Sequence, residues 1–302
     1  ATERPPPSAD CICIGSFNVR ARQLPRDVGS VDADALVAQL RADCAGVAEL
    51  TEQEAIRLLM GCEFCLQAAR DRAQDVAAWR QRFDMAAVNR ELRRARLDAQ
   101  GGGAAQPFHM PNQSEVCKLV VVNPFALAAM DDCPVSIWHV GTANSRAISQ
   151  VEDEVLMAWS RHVFEYASMW ISGQSEQTRQ LAGHIQVFNL KGLGLRQATN
   201  RGLLEKLKIL LGAGAYYVEA VSHIYVINSS SLFSMVWTII RSFISSRTQL
   251  KVTVDSGVPE ELLDRFSPSS RSRLLALLEQ QKSTPSVMDL PQPPLQPEAG
   301  SR

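Results

Sequence analysis

The chain is short of net charge, of histidine and of any secretory signal, and each shortage narrows what it can be. Its 31 Lys and Arg stand against 32 Asp and Glu, a formal charge of -1. That balance gives no broad basic field for a phosphodiester backbone, so no nucleic-acid partner is expected. Five scattered histidines assemble no Ser/His/Asp or Cys/His arrangement, which makes an enzyme the least supported class. Gly192-Leu193-Gly194 and Gly212-Ala213-Gly214 lack the remaining glycine or the Lys-Ser/Thr of a phosphate loop and read as turns or close-packing points. No internal repeat occurs. Seven cysteines, an odd number, without a secretory signal point to a reducing compartment rather than a disulfide framework. The expected location is intracellular: cytoplasmic and membrane-peripheral, or a mitochondrion or plastid if Ala1, which is not a Met, is a processed terminus. No formally charged residue stands between Ala220 and Ile240, yet His223, Asn228 and three consecutive serines interrupt that stretch and its periodicity changes midway. It is therefore not expected to cross a bilayer.

What is present is ample: 46% of 302 residues are apolar, enough for one large core or two smaller ones. Residues 1–30, with Pro5-Pro6-Pro7 and no sustained periodicity, predict an extended arm. Residues 31–106 form a helical module and its linker, with Leu36, Leu40, Ile56, Leu59, Leu66 and Val76 as candidate core and Gly101-Gly102-Gly103 closing it. Trp79 and Phe83, four apart, should share a face. Residues 107–282 alternate strands and helices. The candidate strands are Leu119 to Val122, Val135 to Val140, Ile185 to Phe188, Ile224 to Ile227 and Leu250 to Val254. Helical spacing links Val155, Trp159, Val163, Tyr166 and Trp170, and again Leu203, Leu207, Leu210 and Leu211. The fold class is thus α/β, a mixed, largely parallel sheet flanked by helices and preceded by a small all-helical module. Val258 to Gln281 reads as one or two amphipathic helices, and the prolines from Pro285 to Pro297 mark residues 283–302 as a disordered tail.

The most telling block runs from Tyr217 to Val254. The strand Ile224-Tyr225-Val226-Ile227 leads through Asn228-Ser229-Ser230-Ser231 into a helix expected to begin near Ser231. Leu232, Phe233, Met235, Val236, Trp237, Ile239, Ile240, Phe243 and Ile244 then span an arc of roughly 200°, about twice the stripe a surface helix needs. Such a helix either covers an apolar ligand with one flank and meets a membrane or partner with the other, or is buried on most sides by neighbouring helices.

This block resembles the lid region of CRAL-TRIO lipid-binding domains, without a gap, through Tyr216-Tyr217-Val218-Glu219, His223 to Asn228, Phe233 to Trp237 and Phe243-Ile244 through Thr248 and Lys251-Val252. Three segments upstream are similar too: Phe188-Asn189-Leu190-Lys191-Gly192 to the family's Asp-Leu-Lys-Gly, Cys133-Pro134-Val135 through Gly141 to its first long strand, and Leu58-Leu59 through Trp79-Arg80 to its N-terminal module. The resemblance covers most of residues 34–255. It implies an apolar lipid pocket under a lid helix, with Leu232, Phe233, Val236, Trp237, Ile240 and Phe243 as lid and lining.

The resemblance also implies head-group residues. Glu219, Thr248 and Lys251 match the acid, Thr and Lys of phosphoinositide-binding members, and could serve sugar hydroxyls and a phosphate or be surface charges on loops. The family's basic pair in the helical module corresponds to Cys62-Glu63, where an acid would repel phosphate. At the phosphatidylcholine-type site, His184 and Gln186 replace small hydroxyl residues and Ser136 replaces a strand Tyr. They are either cavity groups for a different head or satisfied core polar groups. Asn189 takes the place of the family Asp, and the family's closing Leu-Pro and Gly-Gly segment is not evident past Val254. Cys62-Glu63-Phe64-Cys65 has redox or zinc-ligand spacing, but its position reads as mid-helix and no second pair completes a metal site.

Two functions follow. One is a lipid carrier or sensor that takes a hydrophobic ligand, with no cofactor beyond it, and exchanges it at a membrane surface. A free sixteen-carbon chain in water would cost about 12 kcal/mol, which is why such a carrier needs a closed cavity. The other is an adaptor subunit with a vestigial or filled pocket, reaching protein partners through its amino-terminal arm and carboxyl-terminal tail.

Overall fold

The structure, a computed structural model, describes residues 11–24, 31–101, 110–241 and 244–279. The expected disordered tail and Gly102-Gly103 of the expected linker lie outside these. Residues 11–24, the described part of the expected extended arm, depart from that expectation. β1 (Cys11–Ile14) and β2 (Phe17–Arg20) form an antiparallel hairpin. The physical reason is a short apolar set, Ile14, Phe17 and Val19, fully buried against the helices that follow. Four-residue strands are too short to show a period in sequence. At the turn the Ser16 amide and hydroxyl both donate to Glu52, at 2.8 and 2.6 Å.

The helical module comprises α1 (Ala33–Cys44), α2 (Glu52–Gly61), α3 (Leu66–Arg82) and α4 (Met85–Gly101). Asp32 caps α1, and Thr51 with Glu54 forms a reciprocal capping box on α2, so both starts were encoded locally. Leu40, Ile56 and Leu59 are in its core as expected, whereas Leu36, Leu66 and Val76 are half-buried. Cys62 to Cys65 is not helical: it forms the turn between α2 and α3, with Glu63 and Phe64 in the left-handed region at φ 52° and 59°.

After α5 (Gln113–Leu119) comes a five-stranded sheet of β3 (Val121–Ala128), β4 (Pro134–His139), β5 (His184–Asn189), β6 (Val221–Ile227) and β7 (Val252–Val254), ordered as in the chain. β3 pairs antiparallel with β4; every later pair is parallel. β3 runs six residues beyond its expected end, through Pro124. It lies at the sheet edge with a register shift, where Phe125 adopts φ 53° and its amide donates to the Ser136 hydroxyl instead of to a strand.

The crossovers are α6 (Asp153–Thr178), then α7 (Leu195–Ala198) with α8 (Arg201–Gly212), then α9 (Phe233–Ile240) with α10 (Ser246–Gln249). Two further helices, α11 (Glu260–Leu263) and α12 (Pro268–Glu279), follow β7. The twofold alternation of the strands divides the core. Phe188, Ile224 and Val226 face α6 and α8, while Ile185, Val187, Tyr225 and Ile227 face Leu262, Leu274 and Leu278 of the last two helices. Asn189 joins these parts. Its amide donates to the Leu278 carbonyl at 2.9 Å, a bond an Asp could not make, and its oxygen accepts from the Lys191 amide and Asn228.

Candidate functional site

Between the sheet and the α8–α9 side lies a partly open cavity of about 800 Å³. Its floor is Gln186 and Phe188 of β5 with Ile224 and Val226 of β6, the inward set dictated by strand alternation. Leu211 and the segment from Gly214 to Val221 supply the sides, and Phe233, Trp237 and Ile244 the roof. Phe233 and Trp237, one helical turn apart, stack with ring centroids 5.7 Å apart. Ser231, Ser234, Thr238 and Arg241 are exposed on the outer face, as the amphipathic pattern required. The helix is shorter than the pattern alone suggests, eight residues from Phe233. Leu232 precedes it and packs on Ala198 and Leu204 rather than lining the cavity. Phe243 and the side chains of Val236 and Ile240 lie outside the described residues.

Glu219, Thr248 and Lys251 are brought together at one end of the cavity. Glu219, at φ 53°, turns its carboxylate inward, where it accepts from Arg247 Nε at 2.9 Å and Lys251 Nζ at 2.7 Å. Burial alone would raise the carboxyl's pKa, but the hydrogen bonds from Arg247 and the charge of Lys251 outweigh it and hold it below the usual range. Burial in turn lowers the pKa of the Lys251 amine, against the pull of Glu219. Lys251 also donates to the Val221 carbonyl at 2.8 Å, and Thr248 Oγ1 pairs with Ser245 Oγ. These groups are an internally paired network, not loose surface charges.

Sequence reasoning missed two members. Arg247, adjacent to Thr248, bridges Glu219 and the Gln23 carbonyl, tying the segment after α9 to that following the hairpin. Arg57 of α2 is buried, donates to the carbonyls of Glu219 and Ala182 at 2.7 and 2.6 Å, and is lowered by burial to about 10. Its position among apolar helix residues, Ala55, Ile56, Leu58 and Leu59, was the available signal.

Gln186 lines the cavity; His184 and Ser136 do not. His184 Nε2 lies 2.8 Å from Ser136 Oγ in the core, with its ring against Phe125, and burial lowers its pKa to about 3. The helical module buttresses the cavity wall: Trp79 stacks on Tyr216 at 4.5 Å, and Tyr217 donates to the buried Glu165, which Arg80 grips through two 2.9 Å bonds. Among the described residues no cluster of His, Cys, Asp or Glu could hold a metal ion, and no helix is long and apolar enough to cross a membrane.

Comparison with known proteins adds three findings. Residues 130–272 match the family model of the CRAL/TRIO domain. A CRAL-TRIO domain-containing protein of Caenorhabditis elegans is 32% identical over 96 residues, 30% of this chain but 13% of that protein's length. The crystal structure of Sfh5 superposes with a TM-score of 0.50 at 15% identity, covering 75% of this chain and 82% of the other, a likeness of fold.

Proposed function

We propose that this chain, whose residues 130–272 match the CRAL/TRIO family model, holds a hydrophobic lipid in the cavity beneath α9 and exchanges it at a membrane surface. The family binds lipids and other hydrophobic small molecules. The observation that carries the finer reading is the cavity itself. About 800 Å³ lies within the range of ligand sites, and the floor and roof are apolar apart from Gln186, with Arg72, Lys208 and the network around Glu219 as the charged groups of the walls. A site of that volume is not filled by side chains, which favours a carrier over an adaptor with a filled pocket. Opening α9 would expose Phe233 and Trp237, and contact with a bilayer would offset that exposure. The role requires no bond-breaking step.

The ligand's head is read as a group with both acceptors and donors, set against Gln186 and the cationic side of the Glu219–Arg247–Lys251 network. Native mass spectrometry of the protein purified from its own source, followed by lipid extraction, tests this. A stoichiometric lipid is expected. Lipid-free protein recovered only within a larger complex would replace the carrier by the adaptor.

A further inference from the structure

The turn between α2 and α3 carries two cysteines, Cys62 on the cavity wall and Cys65 three residues on at the start of α3. The Cys65 amide donates to the Cys62 carbonyl at 2.9 Å, and the two residues between them are both left-handed, the geometry of a type I′ turn. Such a turn keeps its end Cα atoms within about 7 Å, which overlaps the roughly 4.4–6.8 Å span of a disulfide. The turn is held in place. Phe64 is buried in the module core, and its amide donates to the Leu59 carbonyl at 2.7 Å, closing the end of α2. The sulfurs differ in access. Cys62 is half-buried and lines the cavity, whereas Cys65 is exposed, at the N-cap of α3, with no side-chain capping bond. Gly61, next to Cys62, packs so closely on Val218 that an added Cβ would lie 2.4 Å from its methyl, so a shift in the turn presses on the wall beside Glu219.

We propose that Cys62 and Cys65 are a reversible dithiol–disulfide site through which a thiol–disulfide couple adjusts the cavity wall. In the forward direction the Cys65 thiolate attacks one sulfur of a small disulfide, forming a mixed disulfide and releasing one thiolate. The Cys62 thiolate then attacks the Cys65 sulfur and expels the second thiolate. Two protein thiols are oxidised to one disulfide, and the small disulfide is reduced to two thiols, the two protons lost by the cysteines going to the leaving thiolates. The site itself does not depend on the lipid reading. Its effect on the ligand does.

The test treats the full chain with glutathione disulfide, quenches with acid, alkylates the remaining thiols and maps the products by mass spectrometry. A Cys62–Cys65 linkage that reduced glutathione reverses is expected, together with a stable glutathione adduct on Cys65 in Cys62→Ser. Wild-type chain in which both thiols stay alkylatable, in which Cys65 keeps its adduct, or in which either pairs with another cysteine overturns the site. Release of a pyrene-labelled fatty acid is then compared for oxidised and reduced chain. A several-fold change is expected, and equal rates overturn the effect on the cavity. Failure of either form to take up the probe, with the linkage mapped, counts against the lipid reading and removes the effect on the ligand, but leaves the disulfide site standing.

Discussion

Replacing Glu219 by Gln probes the network at the cavity end most directly. The carboxylate side chain is 6% exposed and has Arg247 and Lys251, 12% and 14% exposed, in direct contact. At an effective dielectric of about 20, each unit-charge pair some 4 Å apart is worth about 4 kcal/mol before desolvation is subtracted. Gln keeps the shape and one acceptor but leaves Arg247, Lys251 and the nearby Arg57 without their counter-charge. Removing one partner of a buried pair typically costs about 3–5 kcal/mol, and the retained hydrogen bond brings the expectation to about 3 kcal/mol at pH 7. Because folding depresses the Glu219 pKa below its ordinary 4.5, its contribution is fully present above that value and disappears as pH falls through the depressed one. Urea unfolding of wild type and Glu219→Gln across pH 3 to 8 reads the difference in midpoint. It should be large and flat from pH 8 to about 5 and shrink below that, with little change in added salt because the pair is buried. A difference below about 1 kcal/mol at pH 7, or one that persists unchanged at the acid end, would refute the reasoning.

Other outcomes follow from the same geometry. Asn189→Asp removes the donor to the Leu278 carbonyl and sets a carboxylate against it; a loss of about 2 kcal/mol is expected, read as a lower Tm with faster hydrogen exchange in α12. His184 and His139 are buried neutral, at about 3 and about 4, while the unfolded chain takes up protons near pH 6.5. Stability should therefore fall on acidification from about pH 6, with a slope approaching 2.7 kcal/mol per unit from these two groups, and a flat profile between pH 6 and 5 would contradict the burial. Gln186→Leu should change the head-group profile of extracted lipid, whereas Ser136→Ala, away from the cavity, should change stability alone. A shifted profile with Ser136→Ala would reverse that assignment.

Much of this molecule was written in local sequence. The inner strands could be placed because β-branched and aromatic runs are bounded by turn residues, and α9 because serines and Arg241 sit where helical spacing puts solvent. The Asp32 and Thr51 caps, found in the structure, are equally local, because their chemistry acts within one turn. Tertiary structure decided what depended on distant partners. Ile14, Phe17 and Val19 form a hairpin because a helical module offers them an apolar surface, and β3 passes Pro124 because a hydroxyl from β4 satisfies the displaced amide. Cys62 to Cys65 leaves the helix because Phe64 finds a core site that holds two left-handed residues. His184 and Gln186 share one strand face, yet only Gln186 reaches the cavity. Alternation selects a face of the sheet, but how far the cavity extends along it depends on the helices packed above.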